Sequence, residues 1–163
     1  MSKKIIFLDR DGILNIERGE YTYKKEDVNL VPDLLEALSL FSSKGYEFII
    51  ISNQGGIAKG MYSKLDVVNV ENILRSRLVE KDIKILDSYY CPHHNAIENC
   101  LCRKPKSLML EKAVARYNVI KDQSYFIGDS ERDKIAGESI GIKSYQVEAN
   151  SSILELSKKL IHD

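Results

Sequence analysis

The sequence predicts an α/β fold, a three-layer sandwich built on a mostly parallel central sheet with no large cap domain. Two observations carry this. Short apolar runs alternate with segments of helical periodicity along nearly the whole chain, and the first run is apolar at almost every position, as a central strand covered on both faces must be. Chemically active residues also follow the runs directly. Ile5-Ile6-Phe7-Leu8 ends in Asp9-Arg10-Asp11-Gly12, Phe48-Ile49-Ile50-Ile51 in Ser52-Asn53-Gln54-Gly55-Gly56, and Tyr125-Phe126-Ile127 in Gly128-Asp129-Ser130. Open parallel sheets bind ligands at the carboxyl ends of their strands.

Residues of about 4 to 9 form the first strand. Pro32 opens a helix as a first-turn residue, Leu34, Leu35, Leu38 and Phe41 give it one apolar stripe, and Gly45 closes it. Residues 46–51 form the second strand. A helix over about 63–80 follows, capped by Ser63 and carrying Val67, Val70, Leu74 and Leu78 at helical spacing. Ile83 to Tyr90 reads as the third strand, Leu108 to Tyr117 as a helix begun by Ser107, and Tyr125 to Ile127 as the fourth strand. Residues 131–140 make a short helix ending at Gly141, Ile142 to Val147 a fifth strand, and Ser151 caps a terminal helix. With no repeat and no Pro-, Gly- or Ser-rich linker, residues 1–163 are expected to form a single domain. The roughly twenty residues between Asp11 and Pro32 are too few for a separately folded lid, so the site should be open.

The 24 basic and 24 acidic side chains cancel, and the nine Tyr and four Phe are scattered. Neither feature suggests a nucleic-acid or anionic-membrane surface, which leaves a small-molecule substrate as the expected partner. No apolar run approaches the ~18 residues that span a bilayer. The segment before Asp9 is too short in apolar residues for a signal peptide, so a cytoplasmic address and a monomeric state are expected.

Asp9 and Asp11, two apart on an extended segment, can point to one side. One can accept a phosphoryl group as an acyl phosphate while the other protonates the leaving alkoxide and later deprotonates the attacking water. Like charges this close call for a cation, and Mg²⁺ suits the oxygen ligands, with Asp129 as a further ligand and Asp133 in support. Ser52 can donate to a phosphoryl oxygen, Gly55-Gly56 lets backbone amides approach an anion, and Lys104 can offset its charge. Taken alone, each has a blander reading as a loop acid, a turn, a solvated lysine or a residue before a helix. Their shared position after strands and an ordered loop favours function.

Cys91, Cys100 and Cys102 lie within twelve positions, an odd count unlike a secreted disulfide scaffold. Cys91-x-His93 and Cys100-x-Cys102, six residues apart, offer three thiolates and an imidazole to a closed structural Zn²⁺ site. His93 and His94 compete for the fourth position. Because Cys102 precedes Arg103-Lys104, such a site would fix the loop that carries the lysine.

The order Asp9-x-Asp11-Gly12, Ser52, Lys104, Gly128-Asp129 resembles the four motifs of the haloacid dehalogenase superfamily of aspartyl-phosphate phosphatases, with Ile13 where many members have Thr. The resemblance implies Asp9 as nucleophile, and Asp11 as acid/base that also meets Mg²⁺ through its backbone carbonyl. It implies Ser52 and Lys104 on the phosphoryl group and Asp129 on the metal. The zinc loop before Arg103-Lys104-Pro105 is similar to that of a subfamily containing D-glycero-D-manno-heptose 1,7-bisphosphate 7-phosphatases and histidinol-phosphate phosphatases. The Asn15 and Gly19-Glu20-Tyr21 positions and the run Asn53 to Gly60 resemble the heptose enzymes, while the short zinc loop is nearer the histidinol type. On that resemblance Glu17, Arg18, Gly19, Glu20, Asn53, Gln54, Gly55 and Arg103 would meet a sugar phosphate, Arg103 by forking onto a remote phosphate. The implied setting is ADP-heptose supply for lipopolysaccharide. A non-catalytic, zinc-stabilised interaction module is the alternative from a different class, although the chain keeps both acids of the first motif.

Overall fold

The structure, a computed structural model, describes residues 1–162. Five strands form one sheet in the order β3-β2-β1-β4-β5, and every pairing is parallel. They are β1 (Lys4–Leu8), β2 (Tyr46–Asn53), β3 (Ile85–Cys91), β4 (Tyr125–Gly128) and β5 (Lys143–Gln146). The helices are α1 (Leu34–Ser43), α2 (Lys64–Val79), α3 (Leu108–Tyr117), α4 (Glu131–Glu138) and α5 (Leu154–Leu160). No described helix is long and apolar enough to cross a membrane.

The alternation of side chains along each strand divides the core in two. Ile6, Leu8, Phe48 and Ile50 face α1, α2 and α5, where they meet Leu34, Leu38, Phe41, Leu74 and Leu160. Ile5, Phe7, Ile49, Ile51 and Phe126 face α3 and α4, where they meet Met109, Leu110, Ala113 and Ala136. This is why β1 is apolar at every position from Ile5 to Leu8: all four side chains are fully buried, two on each face.

The element boundaries agree with the sequence to within two residues, and the two-residue offsets at the starts of α1 and α5 have local reasons. Helix α1 begins after Pro32, at Leu34, because Asp33 adopts a left-handed conformation (φ 57°) that cannot belong to the helix. Helix α5 begins three residues past Ser151, whose hydroxyl donates to the Glu148 carbonyl (2.6 Å) and closes a turn instead of capping. Helix α2 starts as expected: Ser63 Oγ accepts the Asp66 N–H (3.2 Å) and the Asp66 carboxylate accepts the Ser63 N–H (2.7 Å).

Phe41, fully buried and edge-on to Tyr46 with ring centroids 5.6 Å apart, joins α1 to the sheet. We expect Phe41→Ala to cost about 3–5 kcal/mol, read as a lower midpoint in urea unfolding.

Candidate active site

The strand order places β1 between β2 and β4, so the chain reverses its direction of winding at β1 and leaves a crevice beyond the strand ends. Asp9 lies one residue past β1, Ser52 and Asn53 end β2, and Asp129 lies one residue past β4. The fourth contributor, Lys104, comes from the loop between β3 and α3.

Lys104 is 3 % exposed, and its ammonium meets three oxygens. It donates to the Ile51 carbonyl (2.8 Å) and pairs with Asp9 Oδ1 (3.0 Å) and Asp133 Oδ1 (2.6 Å). Burial alone would pull its pKa down, but the two carboxylates outweigh burial and raise it, so the lysine stays charged. Asn53 fixes the backbone of the same residue: its Oδ1 accepts the Lys104 N–H (3.0 Å) and its Nδ2 donates to the Lys104 carbonyl (3.1 Å).

Carboxylate oxygens of Asp9, Asp129 and Asp133 lie within 4.8 Å of one another. Asp133 is committed, since its Oδ2 accepts from the Ser130 N–H (3.1 Å) and hydroxyl (2.9 Å) at the start of α4 and its Oδ1 faces Lys104. Asp9 and Asp129 are thus the side chains placed to hold a cation. Burial, and then the neighbouring carboxylates against the pull of Lys104, push the Asp9 carboxyl up to about 8. Asp129 is raised as well, by burial first and Asp133 second. A divalent cation would relieve both, and the hard oxygen donors suit Mg²⁺. Two glycines make room for this cluster. A Cβ on Gly12 (φ 87°) would stand 2.3 Å from Asp129 Oδ2, and one on Gly128 would stand 2.3 Å from the Asp133 Cβ.

The Asp11 side chain is not part of this carboxylate group. Its Oδ1 accepts from Arg10 Nη2 (3.0 Å) and Asn15 Nδ2 (2.9 Å), and its Oδ2 from Arg10 Nη2 (3.0 Å) and Gln54 Nε2 (3.1 Å). Arg10 is 1 % exposed and also donates to the Thr22 carbonyl (2.8 Å). Ser52 Oγ, equally buried, accepts from Gln54 Nε2 (3.1 Å), which leaves its own proton for an incoming oxygen.

Two adjoining hollows open over these groups. One of about 270 Å³ is bounded by Asp9, Lys104, Asp129, Arg132 and Asp133, and one of about 760 Å³ by Glu17, Arg18, Gly19, Glu20 and the residues following them. Asp11, Glu17 and Asn53 border both, so the hollows are continuous. Arg18 is held by Asp27 (2.9 Å). Four residues expected at the substrate, the buried Ser52 among them, border neither hollow. Gln54 is buried and bonded inward, Arg103 donates through Nη1 to the His93 carbonyl (3.0 Å), and Gly55 packs under the zinc loop, where a Cβ would lie 2.8 Å from His94. The neighbouring Gly56 likewise makes room for a ring, since a Cβ there would stand 2.1 Å from Tyr62.

Cys91, His93, Cys100 and Cys102 converge, all three thiols free, with His93 rather than His94 completing the set. Sγ–Sγ and Sγ–Nδ1 separations run from 3.1 Å to 3.6 Å. A tetrahedral zinc with bonds of about 2.3 Å needs edges of about 3.7 Å, so the donor set fits with small outward shifts. The Arg103 N–H also points at Cys100 Sγ (3.3 Å), favouring its thiolate. Residues that sequence reasoning left without a role are Arg10, Asn15 and Tyr62. Arg10 carried a signal, a cation between two acids at the end of a buried strand; Tyr62 carried none.

Between the ordinary carboxyl value of 3.8 and about 8, the folded, cation-free protein keeps a proton on Asp9 that the unfolded chain has lost. Stability must therefore fall as pH rises through that window. In EDTA we expect the melting temperature to fall from about pH 5 to about pH 8 more steeply than in Asp9→Asn, and Mg²⁺ to flatten the difference. For the second cluster, Cys102→Ser should lower bound zinc, measured by elemental analysis, from about one ion per chain to a small fraction, with a lower melting temperature.

Comparison with known proteins agrees with this geometry. Residues 101–158 match the HAD-hydrolase-like family model. The chain is 37% identical over 150 residues to D-glycero-beta-D-manno-heptose-1,7-bisphosphate 7-phosphatase of Haemophilus ducreyi, covering 88% of this chain and 82% of that one. It is 39% identical over 137 residues to the D-glycero-alpha-D-manno-heptose-1,7-bisphosphate 7-phosphatase of Campylobacter jejuni, covering 84% and 77%. In fold it is similar to a crystal structure of D,D-heptose 1,7-bisphosphate phosphatase from B. bronchiseptica complexed with magnesium and phosphate, with a TM-score of 0.88, 21% identity and 98% of each chain covered. The chain belongs to the HAD-like hydrolases, in the family of the D-glycero-D-manno-heptose-1,7-bisphosphate 7-phosphatases.

Proposed function

We propose that this chain is a Mg²⁺-dependent phosphatase that removes the 7-phosphate of D-glycero-D-manno-heptose 1,7-bisphosphate through a phosphorylated Asp9. The observation that carries the chemistry is Asp9 Oδ1 held 3.0 Å from the buried Lys104 ammonium at the floor of an open hollow. The substrate is supported by the names of relatives that align over most of this chain. Those relatives include enzymes named for the beta and for the alpha anomer.

An Asp9 oxygen attacks phosphorus while the bond to the sugar oxygen breaks, and Asp11 gives its proton to that oxygen. Asp11, now a carboxylate, then takes a proton from the water that splits the acyl phosphate, which restores both acids. Lys104 and the Ser52 hydroxyl meet charge on the phosphoryl oxygens. Asp9 and Asp129 would hold Mg²⁺, which would supply charge compensation favouring the ionised nucleophile. The larger hollow, walled by Glu17 to Glu20, takes the body of the sugar, and Asn53 serves by clamping Lys104. Arg103, whose Nη1 holds the His93 carbonyl, lies at the cysteine–histidine loop and borders neither hollow in the observed conformation. We further propose that residues 1–163 act as one cytoplasmic phosphatase domain in the supply of ADP-heptose.

Phosphate release from heptose 1,7-bisphosphate and from histidinol phosphate, for the native chain and Asp9→Asn, tests the proposal. We expect at least a hundredfold preference for the heptose in kcat/KM, and loss of nearly all turnover in Asp9→Asn. A preference for histidinol phosphate would keep the chemistry and replace the substrate. No release from either with Mg²⁺ present would favour a non-catalytic, zinc-stabilised role.

A further inference from the structure

Gln54 and Tyr62 lie behind the site, bordering neither hollow, yet they are bonded into it. Gln54 is 1 % exposed and Tyr62 8 %. Tyr62 Oη donates to Gln54 Oε1 (2.7 Å), and Gln54 Nε2 donates to Asp11 Oδ2 (3.1 Å) and to Ser52 Oγ (3.1 Å). We propose that Tyr62 and Gln54 are positioning residues for proton transfer: the phenol fixes the amide of Gln54, and the amide fixes the Asp11 carboxyl against the leaving oxygen. This rests on the phosphatase reading above.

Three features make the arrangement directional. With Asp11 ionised, a reversed Gln54 amide would set Oε1 against its carboxylate, so the observed orientation, with Nε2 on Asp11, is favoured. The phenol keeps its proton, because burial pushes it up to about 12. The ring has little freedom: it stacks on Tyr23 (5.3 Å, 12°), meets Tyr21 edge-on (5.5 Å, 63°), and fills the space that a Cβ on Gly56 would take, 2.1 Å from Tyr62 Cε1. Tyr21 and Tyr23 border the larger hollow, so the wall meeting the sugar is continuous with the group that orients its proton donor.

The test uses the dependence on the leaving group. A sugar alkoxide needs the Asp11 proton as the P–O bond breaks, whereas p-nitrophenolate leaves without one. Values of kcat/KM report on this first step alone, through formation of the phosphorylated Asp9. We expect Tyr62→Phe, which keeps the ring stack, to lower kcat/KM for heptose 1,7-bisphosphate about tenfold or more and for p-nitrophenyl phosphate less than about threefold. Gln54→Met, of similar volume, should give the same asymmetry and a larger loss, and stands in if Tyr62→Phe does not fold. Equal losses on both substrates, or no loss on either, would overturn the assignment while leaving the phosphatase reading intact. A native chain inactive on both would overturn the two together.

Discussion

The Lys104 ammonium is the contact on which the rest of the site depends. Its three contacts reach the end of β1 through Asp9, the end of β2 through the Ile51 carbonyl, and the start of α4 through Asp133. One buried cation thereby holds three neighbouring elements of the parallel sheet in register at the edge where the chemistry would occur. Taking an ammonium out of water is costly, and here the cost is offset by two carboxylates and a carbonyl at hydrogen-bond distance. Removing Lys104 would leave Asp9 and Asp133 without their cation, a larger penalty than the loss of an exposed pair.

Everything around that contact limits where Lys104 can go. The Asn53 amide brackets its backbone from β2, and the cysteine–histidine cluster ends one residue before Arg103. Arg103 turns back onto the His93 carbonyl, and Gly55 lets the zinc loop lie against the end of β2. A loop of this length has few apolar side chains to bury, so a metal clip is an economical way to order it. The cysteine–histidine cluster thus adjoins the loop that sets the position of one lysine.

A second centre is organised around Asp11. Arg10, Asn15 and Gln54 all donate to its carboxylate, and Tyr62 holds Gln54 in turn. The two acids of the first motif therefore live in different surroundings although they are two residues apart. Asp9 is crowded by other carboxylates, which favours cation binding; Asp11 is surrounded by donors, which fixes its direction. Pairs of acids separated in this way suit a division of labour between nucleophile and proton carrier.

Much of this was legible in the sequence because it is local. The continuous apolar run of β1, the stripe on α2 with its Ser63–Asp66 cap, and the placement of Asp9, Ser52 and Asp129 just past strands follow from period and position along the chain. The closeness of the three thiols in sequence matches their convergence with His93 in space. What only the tertiary structure decided depends on side chains that meet across long separations. That His93 and not His94 completes the cluster is a matter of which ring faces the thiols. That Gln54 turns inward, that Arg103 holds a carbonyl, and that Tyr62 reaches Asp11 through an amide are equally facts of orientation. Sequence patterns determine which face of a strand or helix is buried, because burial repeats with the backbone period. The partner of a given polar atom has no such period: it is set by how the loops from different strand ends pack together.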